Sequence, residues 1–336
     1  MDLLEKRCRE CGGLSLKRHT RYAIVSGEQR WIYFCETCES YFSETKHTVL
    51  ENLRTPLSRV AQVMDALTEG MGINGVIRVF KVSKNSVYLW QERVADLKET
   101  LLLYALCHQF LQQIIEGDEV YTKVEKNQPP DQSEGWTIVL MERASRFIWE
   151  LECGRKERKL FERAMRTLQK VIRKTHDLSL LTDGERRYGH LLFEICAAVL
   201  REGQPGRPPA TLPHGVKVRI KNKGRQAHKR GRKRPKYQAP WREHPQTPPL
   251  TNLAQIHANH VEAFNASLRR RCAAYRRRTN TYAKKRLRLQ QRLDVYWIMH
   301  NFVRVHFTTQ RIPAVALGIL SQGLSFVQLS QIQKIA

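Results

Sequence analysis

Four cysteines near the N-terminus have the spacing of a metal site. Cys8 and Cys11 form one C-x2-C pair, and Cys35 and Cys38 form a second pair after a 23-residue spacer. Each pair can aim two thiolates at one ion, and two pairs close a tetrahedral zinc shell with no open position. The pattern therefore predicts one structural Zn2+. Two disulfides are the alternative, but they require an oxidising compartment, for which the sequence carries no signal.

Three acids farther along the chain are candidates for binding catalytic metal ions. Asp118 lies in a predicted strand, Asp183 ends a later strand, and Glu262 lies on a basic helix. Three converging carboxylates can hold two Mg2+ (or Mn2+) ions about 3.5–4 Å apart, which assist attack on a phosphodiester and departure of the leaving oxygen. Singly, each acid is equally compatible with a structural role. Glu119 is a rival to Asp118, but alternation along a strand sends the two side chains to opposite faces.

The charge of the chain points to a polyanionic partner. The net charge is +26, and residues 201–310 alone carry 26 Lys or Arg against four acids, an excess of 22. A solvated basic face is the plain alternative, but so many like charges repel one another unless phosphates neutralise them. The partner class is therefore nucleic acid. No apolar run reaches 18 residues and the N-terminus is charged, so we expect neither a membrane span nor export.

The elements that position these residues fall into separate modules. Residues 1–45, with weak alternation between the cysteine pairs, predict the hairpin of a zinc ribbon. Residues 55–98 predict helices, including one over 73–80 and another that begins after the N-cap Ser83. This is a helix-turn-helix pattern in which the second helix faces a DNA groove, although a plain helical linker has similar spacing. Its candidate DNA-binding residues are Lys84, Ser86, Tyr88 and Arg93.

Residues 110–310 predict the catalytic domain. Strands are expected over 112–124, 136–141, 147–153 and 178–182, with helices over 158–174 and 188–200. The predicted order is three strands, a helix, a strand and a helix. This order indicates an α/β fold within a multi-domain α+β chain, and it is the order of a ribonuclease-H-like (RNase H-like) core.

The remaining segments are basic. Residues 203–250 form a proline-rich insert in which only 214–220 predicts a strand, residues 253–307 predict long helices with a break near 279–281, and residues 311–336 are a C-terminal tail. Arginine forks and lysines suit backbone phosphates. The candidate DNA contacts in these segments are Lys229, Arg230, Arg232, Lys233, Arg234, Asn265, Arg269, Arg270, Arg271, Arg276, Arg277 and Arg278.

Three sequence segments resemble a known family. GDEVYTKV around Asp118, SLLTDGERRYG around Asp183 and HANHVEAFNASLRRRCAAYRRRTNTYAKK around Glu262 look like the DDE-type transposases of bacterial insertion sequences, particularly the InsAB type. The zinc ribbon and helix-turn-helix are similar to the DNA-binding half of that family. The resemblance implies that these three acids bind the metal ions, that water cleaves the transposon ends, and that the freed 3′-hydroxyl attacks target DNA. The long basic insert departs from a minimal core.

The implied partners are double-stranded transposon ends and target DNA, with a homodimer to bring two ends together and a cytoplasmic location at the bacterial nucleoid. Two other functions stay open. One is a DNA-binding regulator without catalysis, although all three acids are present. The other is an RNase H-like structure-specific nuclease, which would show no preference for a defined inverted repeat.

Overall fold

The computed structural model describes residues 3–8, 10–125, 128–182, 185, 187–199, 205–206, 210–211, 216–222, 238–242, 257–276 and 280–334. They form a mixed α/β structure, in agreement with the predicted class. Within these residues, no helix combines the length and the apolar character that a bilayer span requires.

The cysteine-containing segment forms a small antiparallel sheet of β1 (Leu16–Ala23), β2 (Gln29–Cys35) and β3 (Tyr41–Ser43) in that order. The turn between β1 and β2 needs a positive φ, which Gly27 supplies at 85°. Among the described residues of this segment, the buried apolar cluster consists of Cys8, Tyr33, Cys35 and Phe42. So small an apolar core provides little stability without a further cross-link.

Four helices follow. They are α1 (Leu57–Thr68), α2 (Ile73–Phe80), α3 (Lys84–Ala95) and α4 (Leu97–Ala105). The predicted cap is present, because the Ser83 hydroxyl accepts a hydrogen bond from the Ser86 amide at 3.0 Å. Lys81, in the left-handed conformation, ends α2 before the turn into α3. Pro56 is the N-cap residue of α1, and α4 had no counterpart in the sequence prediction.

A six-stranded sheet forms the centre of the chain. Its strands are β4 (Phe110–Tyr121), β5 (Trp136–Glu142), β6 (Ile148–Gly154), β7 (Thr175–Thr182), β10 (Val216–Asn222) and β11 (Gln238–Arg242). Their order across the sheet is β11-β10-β7-β4-β5-β6. β4, β5 and β6 pair antiparallel, whereas β7 adds to β4 in parallel and β10 adds to β7 in parallel. β11 pairs antiparallel with β10 and was not expected from the sequence.

Helices cover both faces of this sheet. One layer holds α5 (Arg158–Ile172) and α6 (Arg187–Cys196), where the rings of Phe161 and Tyr188 meet. The other holds α7 (Asn259–Arg271) and α8 (Arg286–Ile298), joined by Phe264 and Tyr296. The helix predicted over 188–200 ends early, because β8 (Ala198–Val199) pairs with β9 (Ala210–Thr211). Of the predicted break near 279–281, residue 279 lies outside the described residues, and residues 280 and 281 lie between the end of α7 and the start of α8.

The segment after residue 310 is packed against the rest of the chain. It contains α9 (Pro313–Ala316) and α10 (Phe326–Gln331), and α10 lies against α1. Gln333 exchanges two hydrogen bonds of 3.2 Å with the backbone of Arg7, and the Lys334 amide donates to the His47 carbonyl at 2.9 Å. The C-terminal segment therefore ties the cysteine-containing sheet to the helices.

Candidate functional site

Three acids lie close together in the second half of β4: Glu116, Asp118 and Glu119. Side chains alternate along a strand, so Glu116 and Asp118 face α7 while Glu119 faces the α5–α6 layer. There Glu119 pairs with Lys156 at 2.7 Å. The expected separation of Asp118 from its rival Glu119 is thus present.

Asp118 is in direct contact with the helix that carries Glu262. The Asn265 amide donates to the Asp118 carboxylate with an Nδ2 to Oδ2 distance of 2.8 Å. Asn265 is 3% exposed, and Glu262 is half-buried one turn before it. Residues three apart are neighbours on a helix surface, so Glu262 belongs to the helical turn that reaches Asp118. The buried amide contacts a carboxylate instead of facing solvent, where a DNA phosphate would lie.

The end of β7 lies beside this contact. In the parallel pairing of β4 with β7, Gly117 is opposite Thr182, the last residue of β7. A Cβ added to Gly117 would lie 3.2 Å from Thr182 Cγ2 and 3.5 Å from the Tyr188 ring, so the absence of a side chain allows this close packing. Asp183 follows Thr182 in the sequence and lies outside the described residues.

Asn265 Oδ1, on the α7 face of this strand end, and Thr182 Oγ1, on the α5–α6 face, are buried without a hydrogen-bond partner among the described residues. Leaving a buried polar atom unsatisfied is costly, and such atoms indicate a group that would complete the site. Hard divalent cations such as Mg2+ take oxygen ligands, so an amide oxygen beside a carboxylate fits a site for such an ion.

Tyr188 lies on the opposite side of β4 from α7, near Glu119. Burial raises the pKa of its hydroxyl well above the ordinary value, and the negative charges of Glu119 and Asp118 raise it further. The phenol therefore stays protonated, and it contributes a neutral donor to a place that already carries two carboxylates.

Glu116, which the sequence prediction did not select, is fully buried on the same face as Asp118. Its Oε1 accepts from Arg143 Nε at 2.7 Å, and its Oε2 accepts from the His260 and Val261 amides at 3.1 and 2.9 Å. The signal that could have found it is the two-residue spacing from Asp118, which places both acids on one face of a strand.

Glu116 also forms a possible ligand cluster with His257 and His260, whose ligand atoms lie within 4.8 Å of one another. Burial lowers the pKa of His260; Glu116 opposes this effect, whereas Arg146, His257 and Arg143 add to it. Both oxygens of Glu116 already accept hydrogen bonds, one of them from a guanidinium. The arrangement therefore matches a helix cap better than a metal site.

The four N-terminal cysteines form a candidate metal centre. Cys8 Sγ lies 3.5 Å from Cys38 Sγ, Cys11 Sγ lies 3.6 Å from Cys35 Sγ, and all four sulfurs are within 4.8 Å of one another. A Zn–S bond of 2.3 Å gives a tetrahedron with edges of about 3.8 Å. Burial raises the pKa of Cys8, but the backbone amides of Cys11 and Glu10 outweigh it and lower the value to about 6. The thiols are not paired in disulfides, and the geometry fits one zinc ion.

The candidate DNA-binding residues of α3 are only partly exposed. Lys84 is exposed, and Ser86 Oγ lies 2.9 Å from the Ser83 hydroxyl at the helix start. Tyr88 is half-buried, with the Arg288 guanidinium 4.7 Å from its ring centroid. Arg93 donates to the carbonyl of Glu51. Lys84 is thus the member of the set that reaches solvent most freely.

The arginines at the end of α7 have different surroundings. Arg270 and Arg276 are exposed, Arg269 is half-buried, and Arg271 Nε lies 3.6 Å from Glu69 Oε2 at the end of α1. The other predicted DNA contacts lie outside the described residues: Lys229, Arg230, Arg232, Lys233, Arg234, Arg277 and Arg278.

Comparison with known proteins adds little. No family model and no curated protein matches the sequence. Among solved structures, the chain is similar to a crystal structure of the Mos1 strand transfer complex, with 13% identity and a TM-score of 0.16 over 41% of this chain and 53% of that chain. The aligned part spans about half the length of that structure. Function must therefore be inferred from the site and from the charge of the chain.

Proposed function

We propose that the protein is a DDE-type DNA transposase of an insertion sequence, which cuts at transposon ends and joins them to target DNA. The observation that carries the proposal is the 2.8 Å contact from Asn265 to Asp118, which holds the helix of Glu262 against the carboxyl end of β4. The next strand in the sheet, β7, ends at Thr182, directly before Asp183. The net charge of +26 supports a nucleic-acid substrate.

The proposed fold is an RNase H-like core that follows a zinc ribbon and a helix-turn-helix. The six-stranded sheet supports this core, because β4, β5 and β6 are antiparallel and the parallel strands β7 and β10 extend the sheet on the other side of β4. The four thiols support the ribbon. Asp118, Asp183 and Glu262 would hold two Mg2+ or Mn2+ ions. Bound ions would polarise the scissile phosphate and favour ionisation of the attacking oxygen.

Residues of the chain have distinct parts in this proposal. Asn265 orients the Asp118 carboxylate, while Arg269 and Arg270 hold backbone phosphates without reading base sequence. In the first step a water oxygen forms a bond to phosphorus while the bond to the 3′ oxygen breaks, which leaves a free 3′-hydroxyl. In the second step this hydroxyl attacks a target phosphodiester, and a target strand oxygen departs as the new bond forms.

The test uses the full chain and a DNA duplex built from the sequences that flank its gene, in which the proposal predicts terminal inverted repeats. We expect nicking that requires Mg2+ or Mn2+ and that falls at least about a hundredfold in Asp118→Asn, Asp183→Asn and Glu262→Gln proteins. Asp177→Asn is the matched control, because Asp177 lies near the opposite end of β7, opposite Gln112 of β4. It should nick normally.

Three outcomes would contradict the proposal. Full activity in any of the three variants would remove that acid from the metal site. Equal nicking of a duplex with scrambled ends would indicate a structure-specific nuclease. Tight binding to the repeats without nicking by the wild-type protein would indicate a regulator.

A further inference from the structure

The first turn of α7 lacks a capping side chain of its own. Its N-cap residue is Ala258, whose methyl group accepts no hydrogen bond. Ala258 and Val261 are fully buried, so the side of this turn that faces the sheet is shielded from solvent. The first amides of a helix need an acceptor. An acceptor from another element has to replace the cap here.

Glu116 of β4 is that acceptor. One carboxylate oxygen receives both the His260 and the Val261 amides, at 3.1 and 2.9 Å. The positive end of the helix dipole adds a favourable interaction with the carboxylate. Arg143 holds the other oxygen at 2.7 Å and also donates to the carbonyl of His257, the residue before Ala258. Glu116 and Arg143 together therefore hold both sides of the helix start.

This clamp and the Asp118 contact have matching spacings. Glu116 and Asp118 are two strand residues apart, which is about 6.6 Å along β4. On α7, Glu116 contacts the amides of residues 260 and 261, and Asp118 contacts the side chain of Asn265. These two contact points are about 6.8 Å apart along the helix axis. A shift of α7 by one residue, about 1.5 Å, would break both contacts. Glu262 lies between the two attachment points.

We propose that Glu116 is a positioning residue that fixes the register of α7 on β4 and thereby sets the place of Glu262 relative to Asp118. Its catalytic consequence rests on the proposed function, whereas the helix anchoring does not. A cation bound between Glu116 and the two neighbouring histidines would have to compete with Arg143, whose positive charge lies against the same carboxylate. The carboxylate thus belongs to the scaffold of the site and not to its metal ligands.

Two variants separate anchoring from ligation. Glu116→Met keeps the length of the side chain but accepts no amide, whereas Glu116→Gln keeps one acceptor oxygen. The matched control is Glu150→Met, which also removes a buried carboxylate paired with a cation; the partners of Glu150 are Lys98 of α4 and Thr167 of α5. All three proteins are first compared with wild type by circular dichroism and by their unfolding transitions.

The first measurement is amide hydrogen exchange in the full chain without DNA and without added Mg2+ or Mn2+. We expect the first turn of α7 to exchange about tenfold faster or more in Glu116→Met, with a smaller increase in Glu116→Gln and none specific to α7 in Glu150→Met. Wild-type exchange in Glu116→Met would overturn the anchoring.

The second measurement is Mn2+ affinity by electron paramagnetic resonance. We expect affinity about tenfold weaker in folded Glu116→Met and close to wild type in Glu116→Gln, since Gln still accepts the helix amides. If Mn2+ affinity falls equally in both variants while amide exchange in α7 stays as in wild type, Glu116 is a metal ligand and its positioning role is overturned. Mn2+ binding that survives Asp118→Asn would instead contradict the proposed function, and the exchange result would still decide the anchoring.

Discussion

Replacing Asn265 with aspartate tests whether this position touches Asp118. The amide nitrogen of Asn265 lies 2.8 Å from Asp118 Oδ2, and the side chain is 3% exposed. Asn265→Asp exchanges this donor for a second carboxylate of the same size. Asn265→Leu is the matched control, since it removes the same hydrogen bond and introduces no charge. The two variants therefore differ mainly in electrostatic repulsion.

The expected penalty follows from that distance. Two unit charges 2.8 Å apart repel by about 6 kcal/mol at an effective dielectric constant of 20. The folded protein can escape by retaining one proton on the pair, which costs about 1.36 kcal/mol for each pH unit above the ordinary aspartate pKa of about 3.9. Retaining the proton therefore costs the folded protein about 5.6 kcal/mol at pH 8 and about 2.9 kcal/mol at pH 6. The folded state then binds one proton more than the unfolded state, so stability falls as pH rises.

The assay is denaturant unfolding of both variants at pH 6, 7 and 8 in buffer without added Mg2+ or Mn2+. The stability difference between Asn265→Asp and Asn265→Leu should grow by about 1.4 kcal/mol per pH unit. Mg2+ or Mn2+ at about 100 times its Kd should then stabilise Asn265→Asp by about 2.7 kcal/mol, and at equal metal concentration this gain should exceed that of wild type. A difference that does not change with pH would refute the contact. A pH-dependent difference without a metal effect would refute the metal site.

Three further outcomes are expected. Lys98→Met should lower the free energy of unfolding by about 3–5 kcal/mol, measured by urea titration, because its ammonium lies 2.6 and 2.8 Å from two largely buried carboxylates. Cys35→Ser, or chelation of zinc, should unfold the three-stranded sheet, seen as loss of protection in amide exchange, while the six-stranded sheet stays protected. Burial lowers the pKa of His300 to about 3, so the unfolded state binds a proton at acidic pH that the folded state does not. The free energy of unfolding therefore falls by up to about 5 kcal/mol as the pH decreases from 6.5 towards 3. His300→Gln should flatten that acid limb in unfolding titrations.

The elements that sequence reasoning located were those with a local cause. Ser83 predicts a helix start because its hydroxyl can accept from the third residue onward, and the structure contains this bond. The near-continuous apolar runs around Val139 and Leu151 predict strands, and both residues are fully buried in the sheet. The α4 helix was missed because it follows α3 after the single residue Asp96, so no turn sequence marks where one helix ends and the next begins.

The parts of the site that depend on contacts between distant segments could not be predicted. Glu116 shares a strand face with Asp118, but its role is set by α7, 144 residues later in the chain, which supplies the amides that it accepts. Arg93 has the position of a groove-facing residue on α3, but its guanidinium meets the Glu51 carbonyl. Lys98 likewise joins α4 to β6 and α8 through Glu150 and Asp294. Such pairs depend on tertiary packing, which periodicity does not record.

The α7 helix joins the three parts on which the proposed chemistry depends. Its first turn is held by Glu116, its middle contacts Asp118, and its last turn reaches Glu69 of α1 through Arg271. Because a helix moves largely as one body, a force on its arginines from bound DNA is transmitted to the turn that contains Glu262. The two attachments to β4 would resist that force. The same helix can therefore take up DNA charge at one end and keep the geometry of the carboxylates at the other.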